Sequence, residues 1–153
     1  MMLRHTLATL AYRAGKAMRG APPSFGGFRC ADGSRSAGEI VAHMGDLMDW
    51  GASIAAGAQT WRVSRPSDWE SDVRRFFTAL AAFDAAVANA ALDDQTRDKL
   101  FQGPVADALQ HTGQLTMMRR LASAPIAGEN YFVADIVAGR VGIDEAAPRR
   151  EFD

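Results

Sequence analysis

The feature that most constrains the fold of this sequence is its helical periodicity. In four separate segments, apolar residues recur every three or four positions, as they do on the buried face of an amphipathic helix. No stretch of useful length alternates apolar and polar residues in the way a half-buried strand does. The pattern predicts an all-α protein with helices at approximately residues 2–19, 36–57, 67–90 and 102–122.

Helices with one apolar face bury those faces against each other, so the expected architecture is a four-helix bundle. The 153 residues and the 48% hydrophobic content suit a single domain, residues 1–153, with its own core. Beyond the last predicted helix, the tail is expected to add a short helical extension near residues 131–137.

Two predicted helices begin at recognisable signals. Ser36 with Glu39, and Ser67 with Glu70, have the spacing of capping boxes, in which the two side chains bond reciprocally to free backbone N–H groups. The polar stretch LDDQTRDKLFQG separates the third predicted helix from the fourth and is interpreted as their connection.

Composition limits the partners and the compartment. Seventeen basic residues against 18 acidic ones give a net charge of −1, so there is no bulk attraction to nucleic acid or to an anionic membrane, and no apolar run has the length of a membrane span. The basic N-terminus lacks the apolar core of a secretory signal and is interpreted as the first helix, with an organelle transit peptide as the minor alternative. The single cysteine, Cys30, excludes an intramolecular disulfide and favours a reducing compartment, so a cytoplasmic location is expected.

Polar residues share the apolar face of the fourth predicted helix. At 100° per residue, with Asp107 at zero, His111 falls at about 40°, Gln114 at about −20° and Met118 at about 20°. Asp107 and His111 are therefore predicted to point inward. A buried carboxylate costs several kcal/mol unless it is paired or binds a cation.

The second predicted helix places His43 on its buried stripe by the same geometric test. His43, Asp107 and His111 would form a two-histidine, one-carboxylate set with open coordination positions, which suits a divalent transition metal in a catalytic site. Spacing alone leaves open a hydrogen-bonded core histidine and an Asp/His ion pair on one helix. The candidates for contacts with the ligands or a substrate are Gln114 and Trp50, which are otherwise an interface polar residue and a core aromatic.

Two stretches of the chain resemble a known family. The segments AGEIVAHMGDLMDWGASIA and DALQHTGQLTMMRRLA, with GENYF following, are similar to the DinB/YfiT-like superfamily of metal-dependent four-helix-bundle proteins, and the resemblance spans nearly the whole chain. That family has one ligating histidine on helix two and a pair spaced four apart on the last helix, in the pattern H-x-x-x-H-R-G-Q. His43 matches the first position, and His111, followed by Gly113 and Gln114, matches the last.

The sequence departs from the family pattern at two positions. Asp107 stands where the family usually has histidine, and Thr112 replaces the arginine. Aspartate is still a competent ligand, but it is a weaker donor to soft metals.

The resemblance implies a divalent metal such as Zn, Ni, Fe or Mn. The chain is similar to bacillithiol and mycothiol transferases and to a mycothiol-dependent maleylpyruvate isomerase, which implies a low-molecular-weight thiol such as bacillithiol, mycothiol or glutathione. We therefore expect a metal-dependent enzyme acting on a small molecule, either a thiol S-transferase or a hydrolase. An inactive metal- or small-molecule-binding module, and a structural or interaction protein with a buried His/Asp network, stay open as alternatives.

A homodimer is expected from the resemblance and from the apolar content of the bundle. Gly45 and Gly113 are predicted to face outward, where they would permit close contact between helices. His5 is expected at the surface.

Overall fold

The structure, a computed structural model, describes residues 2–144 and 151–152, and these residues are mainly helical. The helices are α1 (Met2–Met18), α2 (Ala37–Ala55), α3 (Trp69–Asn89), α4 (Asp94–Leu100) and α5 (Ala106–Leu121). Two short strands, β1 (Gly128–Glu129) and β2 (Glu151–Phe152), pair antiparallel. The predicted all-α class is confirmed, although the tail contributes only a 3-10 turn at Tyr131–Val133 where a short helix is predicted.

Helix α2 begins at the predicted capping box. The backbone N–H of Glu39 donates to the Ser36 hydroxyl at 3.2 Å, and the N–H of Ser36 donates to the Glu39 carboxylate at 2.6 Å. Glu39 is thus a cap, and the box satisfies two backbone donors that the first helical turn leaves free.

The prediction of a capping box for α3 at Ser67 is wrong. Asp68 is the N-cap, and its carboxylate accepts from the N–H of Ser71 at 2.9 Å, because a charged acceptor binds well at the positive end of a helix. Asp72 is buried and accepts from the N–H of Ser67 at 3.0 Å.

The polar stretch after α3 forms α4 rather than a plain connection. Asp93 caps it by accepting from the N–H of Thr96 at 2.7 Å. A π-helical turn, Phe101–Val105, then leads directly into α5, so the predicted start at residue 102 falls inside that turn. Pro104 lies in it, has no N–H to donate and would crowd the carbonyl of Leu100, which accounts for the local widening.

The four longest helices of the described chain pack on each other through their apolar faces. Helix α1 contacts α3 and α5, and α2 contacts the same two helices. Phe76, Phe77 and Phe83 of α3 are all buried. In residues 2–144 and 151–152, no helix combines the length and the apolar character needed to cross a membrane.

Helix α5 is rotated about its axis relative to the predicted orientation. Arg119 is only 5% exposed, whereas Gln114 and Leu121 are exposed and the Asp107 side chain is 41% exposed. The prediction that Asp107 points inward is therefore wrong. The buried residues of α5 are Ala108, His111, Thr112, Leu115, Met118 and Arg119.

Hydrogen bonds of Arg119 hold α5 in this rotation. Its guanidinium donates to the carbonyls of Ala124 at 2.6 Å, Ala17 at 3.1 Å and Arg19 at 3.0 Å. A buried arginine is tolerated when its donors are satisfied, and here the acceptors lie inside, next to the end of α1. Holding Arg119 inward turns Asp107 to the edge of the helix interface.

The tail is held against α1 by a buried charged cluster. Lys16 is 3% exposed, and its ammonium lies 2.9 Å from Glu129 and 2.7 Å from Glu151. The Tyr12 hydroxyl donates to the same Glu129 carboxylate. These bonds fix the two short strands beside α1.

Only one of the two glycines predicted to face outward does so. Gly113 is exposed and has no neighbour within 4 Å of an added Cβ. Gly45 is buried under Arg75, whose Nη1 would lie 2.6 Å from such a Cβ, so its prediction as an outward contact is wrong. The homodimer stays a prediction.

We predict that Gly51→Ala lowers the free energy of unfolding. A Cβ at Gly51 would lie 2.5 Å from the ring of Phe83, which is fully buried and cannot move aside. Overpacking of this kind costs about 1–3 kcal/mol, more than the gain of up to about 1 kcal/mol that alanine brings to a helix. Urea unfolding measures the difference. Gly113→Ala is the matched control and should stabilise, and a Gly51→Ala variant as stable as Gly113→Ala would refute the close contact.

Candidate metal centre

Two helices supply the three predicted ligands. His43 lies on α2, and Asp107 and His111 lie one turn apart on α5, which packs against α2. The His111 side chain is 10% exposed and that of His43 is 20% exposed. The two imidazoles thus form the inner side of the group, and the half-exposed Asp107 forms the outer side.

The three side chains converge as predicted. The Nε2 atoms of His43 and His111 each lie 3.4 Å from a carboxylate oxygen of Asp107, one at Oδ2 and the other at Oδ1. The imidazole centroids are 5.0 Å apart with the rings nearly perpendicular at 88°. One donor atom from each residue lies within 4.8 Å of the other two.

Gln114 determines which nitrogen of His111 is free. Its Oε1 lies 2.7 Å from Nδ1 of His111, and a carboxamide oxygen can only accept, so Nδ1 carries the proton. In the neutral ring, Nε2 therefore presents a lone pair to the Asp107 carboxylate at 3.4 Å, which is too long for a hydrogen bond. Two electron-pair donors face each other there, an arrangement that a bound cation would stabilise.

The environment of His43 keeps its ring neutral. Burial lowers the pKa of His43 from its ordinary value, and the positive charge of Arg35 and the nearby His111 act in the same direction, against the opposing effect of Asp107. A neutral imidazole is the form that binds a metal ion.

The spacing of the donor atoms fits a small divalent ion. Ligand atoms about 2.1 Å from a tetrahedral metal lie about 3.4 Å from each other. Each histidine lies at this distance from one oxygen of Asp107, His43 from Oδ2 and His111 from Oδ1, and the three donors lie within 4.8 Å of one another. The group can therefore hold a metal ion. Among the described residues it has three members, His43, Asp107 and His111, so a tetrahedral ion would keep one position for solvent or substrate.

One tryptophan, Trp61, packs against His43, and a second, Trp50, packs against the first. The Trp61 ring packs edge-on to His43 with centroids 6.0 Å apart, and Trp50 packs edge-on to Trp61 at 5.6 Å. Trp50 is half-buried rather than in the core. Sequence reasoning gave Trp61 no role, because it lies in the connection between α2 and α3, where no periodicity indicates which way a side chain points.

The connection that carries Trp61 is tied to α2 on both sides of the tryptophan. The N–H of Thr60 donates to the Ser53 hydroxyl at 3.0 Å, and the N–H of Ser64 donates to Asp46 at 2.9 Å. Asp46 also pairs with Arg75 at 2.6 Å and is not a member of the donor group. His5, at the other end of the molecule's sequence, is exposed as predicted.

Two cavities border the donor group. One of about 440 Å³ lies beside His111 and Gln114, and the other, of about 390 Å³, lies beside Asp107 and Trp50. Both have the size of pockets that hold small molecules. The first is lined in addition by Cys30, Ser34, Arg35, Ile40, Met117 and Met118, and the second by Leu47, Gln102, Gly103, Ala106 and Gln110.

Comparison with known proteins identifies no relative of this chain. No family model, no curated protein sequence and no solved structure matches the chain. The resemblance to the DinB/YfiT-like superfamily rests on the two sequence segments that carry it, and membership stays a prediction.

We predict a depressed pKa for His43 in the metal-free protein, below the value of about 6.5 for an unperturbed histidine. NMR titration of the imidazole protons measures it, with His43→Gln for assignment. Because Arg35 contributes to the depression, Arg35→Gln should raise the pKa of His43. An unchanged value in that variant would show that the two charges do not interact.

The same pKa difference predicts a dependence of stability on pH. The unfolded His43 takes up its proton at a higher pH than the folded one, so its contribution to stability is present above about pH 6.5 and is lost as the pH falls through the folded pKa. Unfolding by urea should therefore show the wild type losing stability relative to His43→Gln between about pH 7 and pH 5. A difference that is constant over this range would contradict the prediction.

Proposed function

We propose that the protein is a metal-dependent enzyme of the DinB/YfiT-like type, in which the four long helices form a bundle and His43, Asp107 and His111 bind one divalent ion. The observation that carries the proposal is the convergence of three donor atoms within 4.8 Å of one another. The hydrogen bond from His111 to Gln114 supports it, because that bond engages Nδ1 and leaves Nε2, the nitrogen facing Asp107, free to ligate.

The donor set suits a borderline transition metal. Two imidazoles and one carboxylate are ligands that Zn, Ni, Fe and Mn accept, and the carboxylate at Asp107 makes the set harder than the three histidines of the family pattern. This departure favours hard ions relative to the family pattern and leaves the number of ligands unchanged.

The residues around the ligands support a reaction at the open position. A divalent ion in such a site lowers the pKa of a bound water or thiol toward neutral. Gln114 fixes the tautomer of His111, and Trp61 shields the ring of His43. The two cavities offer space for a small electrophile and for a thiol or water, so thiol S-transfer and hydrolysis are the reactions we propose.

A purely structural role for the three residues has less support. A polar network that serves only to stabilise a core holds its members at hydrogen-bonding distance. Here both separations between Asp107 and the histidines are 3.4 Å, within ion-pair distance but long for hydrogen bonds, and the Asp107 side chain is 41% exposed. A metal-binding module without turnover fits the same geometry as the enzyme does, and an activity screen separates the two.

We predict that chelator-treated protein binds one divalent ion per chain with a Kd tighter than about 10 μM, or roughly −7 kcal/mol, in calorimetric titration. His111→Ala should abolish this binding, because two remaining ligands chelate poorly and the charge of Asp107 loses its cation. Asp107→His should retain binding, whereas Asp107→Asn should weaken it, because an amide is a poor donor.

His5→Ala is the matched control for these variants, because His5 is exposed and lies outside the donor group. It should bind the ion like the wild type. Wild-type protein that takes up none of Zn²⁺, Ni²⁺, Mn²⁺ or Fe²⁺ would refute the proposal and favour the structural network. A screen of the loaded protein with bacillithiol, mycothiol or glutathione and generic electrophiles then separates the enzyme from an inactive binding module.

A further inference from the structure

The cavity beside His111 has a chemically distinct lining. Its volume is about 440 Å³, and Ile40, Met117 and Met118 give it an apolar wall. Methionine side chains are flexible and polarisable, so such a wall adapts to apolar ligands of different shape. Arg35, in the connection just before α2, contributes the only side chain of this lining that is always charged.

The charge of Arg35 is not used within the described part of the chain. Arg35 is exposed and makes no hydrogen bond or ion pair with any residue in 2–144 or 151–152. The neighbouring Arg29 differs, because it pairs with Glu39 at 2.9 Å and donates to the Ser34 carbonyl. A free guanidinium at the border of an apolar cavity is suited to bidentate binding of a carboxylate.

The position of the cavity links it to the donor group. His111 and Gln114 form part of its lining, so a molecule in it touches the residue that we propose as a metal ligand. Arg35 is close enough to His43 for its charge to act on that imidazole. The apolar wall, the unpaired cation and the donor group therefore belong to one continuous region.

We propose that this cavity binds the substrate as a small amphiphilic carboxylate, with the apolar part against Ile40, Met117 and Met118 and the carboxylate on Arg35. The proposal rests on the proposed function, because it takes the occupant of the cavity to be the molecule on which the metal site acts. Arg35 is then a specificity-determining residue that selects anionic over neutral and cationic substrates.

Octanoate is the probe for this pocket, and octanol, with the same chain length and no charge, is its control. Chelator-treated full-length protein with ¹³C-labelled methionine methyl groups is titrated and followed by NMR. Octanoate should shift the Met117 and Met118 methyl signals saturably with a Kd of about 1 mM or tighter, and octanol should bind at least about fivefold more weakly.

Substitutions test the contributions of the Arg35 charge and of the apolar wall to binding one at a time. Arg35→Gln should weaken octanoate binding about fivefold or more while leaving octanol binding unchanged. Met117→Gln should weaken the binding of both octanoate and octanol. Arg74→Gln removes an equally exposed arginine on α3 that does not line the cavity, and it should bind octanoate like the wild type.

Two results would overturn the inference. In the first, octanoate does not shift the Met117 and Met118 signals. In the second, Arg35→Gln binds octanoate as tightly as the wild type. The metal titration is independent, because the octanoate experiment uses metal-free protein. If the protein takes up metal but does not bind octanoate, the proposed pocket is refuted and the proposed metal site is not. If the protein binds octanoate through Arg35 but takes up no metal, the proposal of a metal-dependent enzyme is refuted. The proposal that the pocket binds its substrate then fails as well.

Discussion

The buried guanidinium of Arg119 is the constraint on which the arrangement of the site depends. Its three hydrogen bonds reach the carbonyls of Ala17 and Arg19 at the end of α1 and that of Ala124 just beyond α5. Burial lowers the pKa of Arg119, which is the sign of a charge held away from water. Because Ala17 and Arg19 belong to the end of another helix, these two bonds hold α5 in the rotation that turns His111 inward and brings Asp107 to the edge.

The same rotation gives the donor group two unlike sides. On the side of His111, the lining is apolar and carries the cation of Arg35; on the side of Asp107, it carries the carboxamides of Gln102 and Gln110. These are two neighbouring spaces with different linings. A rotation that buried Asp107 would remove the carboxylate from the second space.

Much of the fold was predictable because it follows from local rules. The bounds of α1, α2 and α3 lie within a few residues of those predicted from periodicity and caps, and the convergence of His43 with the pair on α5 follows from their helical positions. Helix α4 was missed because only Leu100 of its seven residues is buried, so it shows no apolar face. The rotation of α5 was missed because Thr112 and Arg119 occupy buried positions without being apolar. The roles of Trp61 and Arg35 depend on the paths of connections, which periodicity does not encode.

The half-exposed Asp107 has a consequence for how the donor group would exchange its ion. With 41% of this side chain in contact with solvent, water and chelators reach the group from one edge, while the imidazoles are shielded. Release of an ion held there would begin at the carboxylate and proceed ligand by ligand, so exchange with free ions would be fast relative to a closed structural site. The metal found in isolated protein would then reflect the ions in its surroundings during purification as well as the intrinsic order of affinities.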